Sequence, residues 1–247
     1  GARCSATLGG SENINLGADY SLMGGGRENV IHKDSDYSLI GGGRKNKIVG
    51  TTSDYSSIVG GYLNVLTSST YTNIVGGVQN IVHDTSFGAV VNGYLNKIYH
   101  GDYSFIGGGD NNKIEDGGYN DGVIVGGREN IITGSTSSGV VGGQNNRILG
   151  DSDYSVVGGG SVNLIDGNSS YGFIGGGNLN HITMASTYSA IVNGQQNIIS
   201  AGSQYGFVGG GERNKIETGD WSIIGAGGNN LIRFNSDYST IVGGSGN

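Results

Sequence analysis

Hydrophobic positions in this chain recur on a beat of 16 to 18 residues. Within each beat the order is constant, as in DYSLIGGGRKNKI (36–48): a polar residue, an aromatic, a small residue, two aliphatics, glycines, a polar pair, asparagine, and one more aliphatic. The phrase returns as DYSFIGGGDNNKI, DYSVVGGGSVNLI and QYGFVGGGERNKI. The asparagine sets the register at Asn13, Asn29, Asn46, Asn64, Asn80, Asn96, Asn112, Asn130, Asn146, Asn163, Asn180, Asn197, Asn214, Asn230 and Asn247. A glycine stands three positions earlier every time: Gly10, Gly26, Gly43, Gly61, Gly77, Gly93, Gly109, Gly127, Gly143, Gly160, Gly177, Gly194, Gly211, Gly227 and Gly244.

Such a repeat is too short for a helix pair and too rich in glycine for any helix. It fits one coil of a parallel β-solenoid with two short strands, a YSLIG type and an NKI type. Coil length varies only between the second strand and the next YS. Counting from the asparagine as zero, position −6 is aliphatic or Met in all fourteen complete repeats, and −8 is always Ser, Thr or Gly. Position +2 is aliphatic in thirteen of fourteen, Asn15 being the exception. These positions predict the inside of the coil.

The opposite strand face is expected to carry −9, −7 and −5. Position −9 is aromatic in twelve of fourteen repeats: Tyr20, Tyr37, Tyr55, Tyr71, Phe87, Tyr103, Tyr154, Tyr171, Tyr188, Tyr205, Trp221 and Tyr238, with Asp121 and Ser137 as gaps. Positions −7 and −5 trade volume. Seven repeats combine Gly at −5 with a large apolar residue at −7, and six of the seven with Val at −5 have a small or polar −7; Val123 breaks the trade. Close packing penalises both voids and overfilling, so the trade predicts a packed boundary on this face too. A two-strand coil has one inside, which leaves a second copy of the chain as the partner: a homo-oligomer, read as a trimer. The aromatic column is the candidate oligomer interface or ligand platform. Stacked coils advance ~4.8 Å each, giving a rod of about 67 Å.

The glycine at −3 is expected to supply positive φ at a corner, and the glycine at −4, relaxed to Asn92, Asn193 or Ala226, to supply room. The asparagines are expected to stack as a structural ladder that satisfies turn groups.

Composition narrows the functional classes. The 247 residues include 52 glycines and no proline, 13% are charged, and the net charge is −7. No basic stripe exists to neutralise phosphates, so a nucleic-acid partner is not expected. No apolar run approaches the ~20 residues of a membrane helix, so no membrane insertion is expected in this segment. Cys4 is the single cysteine and cannot build a disulfide framework or thiolate metal site. The chain opens GARCSATLGG and closes VGGSGN in mid-repeat. It reads as one repetitive domain over 1–247, a segment of a longer fibrous protein.

Candidate chemistry is sparse. The GGG clusters lead into polar turns and a β-type dipeptide, without the helix N-terminus that a phosphate loop needs. GGGDNNKIEDGGYND (107–121) lacks the nine-residue beat of glycine–aspartate calcium repeats. A partial aspartate column at −10 (Asp19, Asp36, Asp54, Asp102, Asp153, Asp220, Asp237) could recruit a cation or open Asx-type turns. The turn reading is preferred, with no metal and no cofactor expected. His32, His83, His100 and His181 occupy different turn positions and form no ligand spacing, so no catalytic site is expected.

The iterated phrase YSxIxGGxxNxI resembles the β-roll head repeats of YadA-type trimeric autotransporter adhesins, and is similar to phrases in trimeric phage and viral tail-fibre shafts. The family's repeat is shorter and alanine-rich, without this aromatic column. The resemblance implies a left-handed parallel β-roll trimer on a cell or virion surface that projects and attaches, with a host-surface glycan or protein as receptor. The alternative is a glycan-binding solenoid, or an ice-binding one; the latter requires a flat threonine-rich face, and threonine here is scattered across turns.

Overall fold

The computed structural model describes residues 3–118, 121–234 and 236–247. The described residues are all-β, with no helix, and build a parallel β-solenoid of about fourteen coils from two sheets. The solenoid expected from the repeat is therefore present. The chain forms two compact units, Gly1–Asp121 and Gly122–Asn247. In the first, strands from Ala6–Thr7 to Phe105–Ile106 make one sheet, and strands from Ile14–Asn15 to Lys113–Gly118 make the other. In the second, the corresponding runs are Val123–Ile124 to Thr240–Ile241 and Ile131–Thr133 to Leu231–Ile232.

Neighbouring coils pair in register, so equivalent residues stack: Leu39 on Ser57 and Ile40 on Ile58 in the first sheet, Lys47 on Val65 and Ile48 on Leu66 in the second. A third parallel column, of single-residue bridges at −2, runs through Arg27, Arg44, Tyr62 and Val78 in the first unit and Gln144, Ser161, Asn178 and Gln195 in the second. Each coil thus has two short strands plus a pinned corner.

The core is two aliphatic columns. Position −6 (Met23, Ile40, Ile58 and their equivalents to Ile224) and position +2 (Ile31, Ile48, Leu66 and their equivalents to Ile216) are fully buried. Burying such a side chain contributes roughly 1.5–3 kcal/mol, and each coil between the terminal ones contributes two. A hydroxyl column lines the rest of the interior. Ser21, Ser38, Ser56, Thr72, Ser155 and Ser189 at −8 are buried, and so are Ser35, Ser53, Ser69, Ser152, Ser169 and Ser186 at −11. The two sets interlock between coils: Ser38 Oγ donates to the Ser53 carbonyl (2.8 Å) and Ser189 Oγ to that of Ser203 (2.9 Å). The −11 column was not anticipated, although its signal is the repeated S-x-x-S of SDYS and STYS.

The asparagines from Asn29 to Asn230 have no exposed surface. Asn64 is representative. Its Nδ2 donates to the Gly60 carbonyl of its own coil (3.1 Å) and to the Gly77 carbonyl of the next (3.0 Å), while its Oδ1 accepts the Asn80 backbone N–H (3.0 Å). One side chain therefore closes its own corner and joins it to the following one. The glycine at −3 is needed twice over. Gly43 has φ 84°, and a Cβ there would fall on the Gly61 carbonyl oxygen and lie 2.6 Å from Asn46 Nδ2.

Position −9 departs from expectation. The strands begin at −7, so the aromatic residue lies in the preceding turn with φ near +55°, as at Tyr37 (55°) and Tyr188 (55°). The chain must bend there to bring −11 and −8 both inward, and two inward residues three apart cannot lie on one extended strand.

Asn64→Ala is expected to cost about 1–3 kcal/mol, because the Gly60 carbonyl and the Asn80 N–H lose a partner and the Gly77 carbonyl keeps only the Tyr62 N–H. Contacts run between neighbouring coils. Amide hydrogen exchange should therefore quicken at the coils of Asn64 and Asn80 and stay unchanged several coils away.

Candidate functional site

The turn conformation at −9 gathers the aromatic residues into one stack in each unit. In the first unit Tyr20, Tyr37, Tyr55, Tyr71, Phe87 and Tyr103 follow one another with ring centroids 4.8–5.0 Å apart and planes within 9° of parallel. In the second, Tyr154, Tyr171, Tyr188 and Tyr205 repeat this at 4.6–5.0 Å. Trp221 then sits 3.9 Å from Tyr205, and Tyr238 sits 6.5 Å from Trp221. Offset parallel stacking occupies both faces of each interior ring and leaves edges and hydroxyls outward. About half of each side chain remains exposed, for example 49% at Tyr37.

The backbone makes this column notable. Left-handed φ disfavours residues bearing a Cβ by roughly 1–2 kcal/mol. The −1 position shares that conformation, and its occupants vary: Glu28, Lys45, Leu63, Gln79 and Asn145, with β-branched Val162 as the outlier of the column. The −9 position instead keeps aromatics almost throughout. Strain held by one residue class marks a position with a task beyond the turn.

The aspartates at −10 have structural partners. Asp36 Oδ1 accepts the Asp19 N–H (2.7 Å), Asp54 Oδ1 the Asp36 N–H (2.8 Å), and Asp153 Oδ1 the Thr136 N–H (2.7 Å). Each carboxylate caps the turn of the preceding coil. Among the described residues no cluster of three His, Cys, Asp or Glu side chains could hold a metal. Tyr119 and Asn120, in the glycine–aspartate stretch, lie outside the described residues.

Beside the aromatic stack, −7 and −5 form a second apolar strip, with Leu22, Phe173, Phe207, Val75 and Val192 all exposed. The glycines at −5 do more than make room for −7. A Cβ on Gly41 would meet the Val59 carbonyl oxygen at 2.5 Å, and on Gly175 it would run into that of Val192 and lie 3.3 Å from the Phe173 ring. The glycine at −4 behaves differently from expectation. A Cβ at Gly42, Gly60, Gly76, Gly126, Gly142, Gly159 or Gly176 would meet nothing within 4 Å. Room within the chain is not what −4 requires; Gly25 and Gly108, at φ 154° and 157°, are its two members with a backbone reason.

The histidines, scattered in sequence, are partly assembled by the coils. His83 and His100 lie with ring centroids 5.6 Å apart, and His100 Nδ1 is 3.0 Å from Asp84 Oδ2. His32 is 3.6 Å from Asp34, and His181 stands apart on the second sheet. Elsewhere on the surface Glu28 contacts Arg27, Arg44 and Lys45. Desolvation pushes its carboxyl up, but the hydrogen bond and charge of Lys45 with the two arginines outweigh that and hold it below the usual range. A scan against protein-family models and a search of curated proteins find no match to this chain.

Desolvation among the packed rings, then Tyr55 and Tyr20, then Asp36 and Asp19, raise the Tyr37 phenol above its ordinary value. A raised phenol favours the protonated, folded form. Its contribution is complete below the ordinary tyrosine value, about 10, and is lost as pH climbs through the raised one. Phenolate absorbance should therefore appear at higher pH than in the unfolded chain, with stability falling over that alkaline window. Tyr71→Ala removes two stacking contacts and should cost about 1–3 kcal/mol, measurable by denaturation.

Proposed function

We propose that this chain is a rigid segment of an extracellular or virion-surface fibre, a homotrimeric left-handed β-roll that projects and mediates attachment. The observation that carries the reading is the glycine column at −4. Twelve of fifteen repeats have glycine there, yet a Cβ at most of them would meet nothing within 4 Å in the same chain. Glycine retained without an internal reason fits close approach by another backbone. The column adjoins the exposed apolar strip at −7 and −5. A continuous apolar strip of that length suits burial against a partner, and a second copy supplies a complementary surface of the same coil spacing. The repeated phrase supports the surface-fibre assignment by its resemblance to adhesin heads and fibre shafts.

The glycan-binding alternative finds less support in the aromatic column. A sugar stacks on a ring face, and the interior faces of this column are taken by neighbouring rings.

Light scattering should return three chain masses. Gly60→Leu and Phe173→Asp should each lower that mass while circular dichroism keeps its β signature, whereas Lys47→Asp on the second sheet should leave it unchanged. A monomeric wild-type chain, or full assembly in both of the first two variants, would defeat the proposal.

A further inference from the structure

The outer face of the second sheet in the Gly122–Asn247 unit carries a groove of about 460 Å³. Its lining combines apolar Leu149, Val162 and Leu164 with polar Asn145, Arg147, Asn163, Asp166 and His181. Register fixes the order. Arg147 pairs with Leu164 and Leu164 with His181, so the arginine and histidine stand one coil to either side of the leucine. They are about 9.6 Å apart, two coil spacings.

Two features of this groove carry the inference. Val162 is the one β-branched residue of the −1 column and is held at φ 58°. A β-branched residue in left-handed backbone is a true outlier, shared among the described residues only with Thr218, and such strain concentrates at ligand sites. Val162 is also 39% exposed, so internal packing does not account for it. The second feature is charge. Arg147 has no carboxylate within ion-pair distance among the described residues. The nearby Asp166 turns back on its own chain, its Oδ1 accepting the Gly167 N–H at 2.6 Å.

We infer that this groove binds a small monocarboxylate with an apolar body, the carboxylate on the Arg147 guanidinium and the body on Leu149, Val162 and Leu164. An apolar cleft of this size with a few convergent polar groups has the form of a small-molecule site. A guanidinium offers a carboxylate two parallel N–H donors. Burial lowers the His181 pKa, so at neutral pH the ring faces the ligand as a neutral hydrogen-bonding group. The inference is independent of the fibre reading, because every residue named belongs to one chain.

The test is calorimetric titration of the full chain with 4-phenylbutyrate and with its neutral amide. The carboxylate should bind saturably at one site per chain, and the amide about tenfold more weakly or worse. Arg147→Gln should weaken carboxylate binding by about tenfold and abolish the preference over the amide. Val162→Asn relieves the backbone strain, so it should raise the melting temperature while weakening both ligands, a pairing that a purely structural valine would not give. Equal binding of acid and amide, no binding of the acid, or undiminished binding to Arg147→Gln would each overturn the assignment.

Discussion

Everything in this molecule follows from one requirement: each coil hydrogen-bonds to a near copy of itself about 4.8 Å away. A residue type can recur in a column only if it tolerates its own kind at that distance. Aliphatic side chains do so by packing, as at −6 and +2. Serine hydroxyls and asparagine amides do so because each carries both a donor and an acceptor. Aromatic rings do so by stacking at nearly the coil spacing, as the 4.8 Å from Tyr37 to Tyr55 illustrates. Carboxylates, which would repel, are diverted: Asp36 reaches to the Asp19 N–H instead of facing another carboxylate. The exposed corner at −2 and −1, where charges do recur, varies from coil to coil and mixes signs, as around Glu28.

The same requirement explains where strain is tolerated. Short strands must be joined by tight corners, and each coil spends left-handed residues at −9, −3 and −1. Glycine removes the cost at −3, where a Cβ would also strike the next coil. At −1 the cost of roughly 1–2 kcal/mol is carried by whichever residue stands there. At −9 about one ring contact per residue, worth about 0.5–1.5 kcal/mol, offsets most of a cost of about 1–2 kcal/mol. An aromatic ladder at a strained turn is thus close to neutral for the fold. Stability alone gives little reason to prefer it over glycine or asparagine, and this is why the column reads as surface chemistry placed on a scaffold stabilised elsewhere.

The outer surface divides accordingly. The first sheet carries the repeating apolar strip and the glycine corner, features suited to a partner with the same repeat. The second sheet is irregular in its outward residues, and its irregularities make local sites such as the groove between Arg147 and His181.

The repeat register, the two aliphatic columns, the corner glycine and the asparagine at each turn were all legible in the sequence, because a solenoid stacks equivalent positions and so writes its coil as a period. Residues such as Ile40, Ile48, Gly43 and Asn46 announce themselves by recurring. Three matters were decided only in three dimensions. Whether Tyr37 lies on the strand or in the turn before it depends on where the chain bends, and alternation across four residues does not reveal a bend. Whether Gly42 is needed for room depends on atoms of other coils, and there are none near it. Which irregular residues meet, as Leu164 meets Arg147 and His181 at one groove, depends on lateral neighbours 17 residues apart in the chain. Periodicity determines the columns; only the folded coil determines what each column faces, because facing is a property of the bends and gaps between columns and not of the beat that generates them.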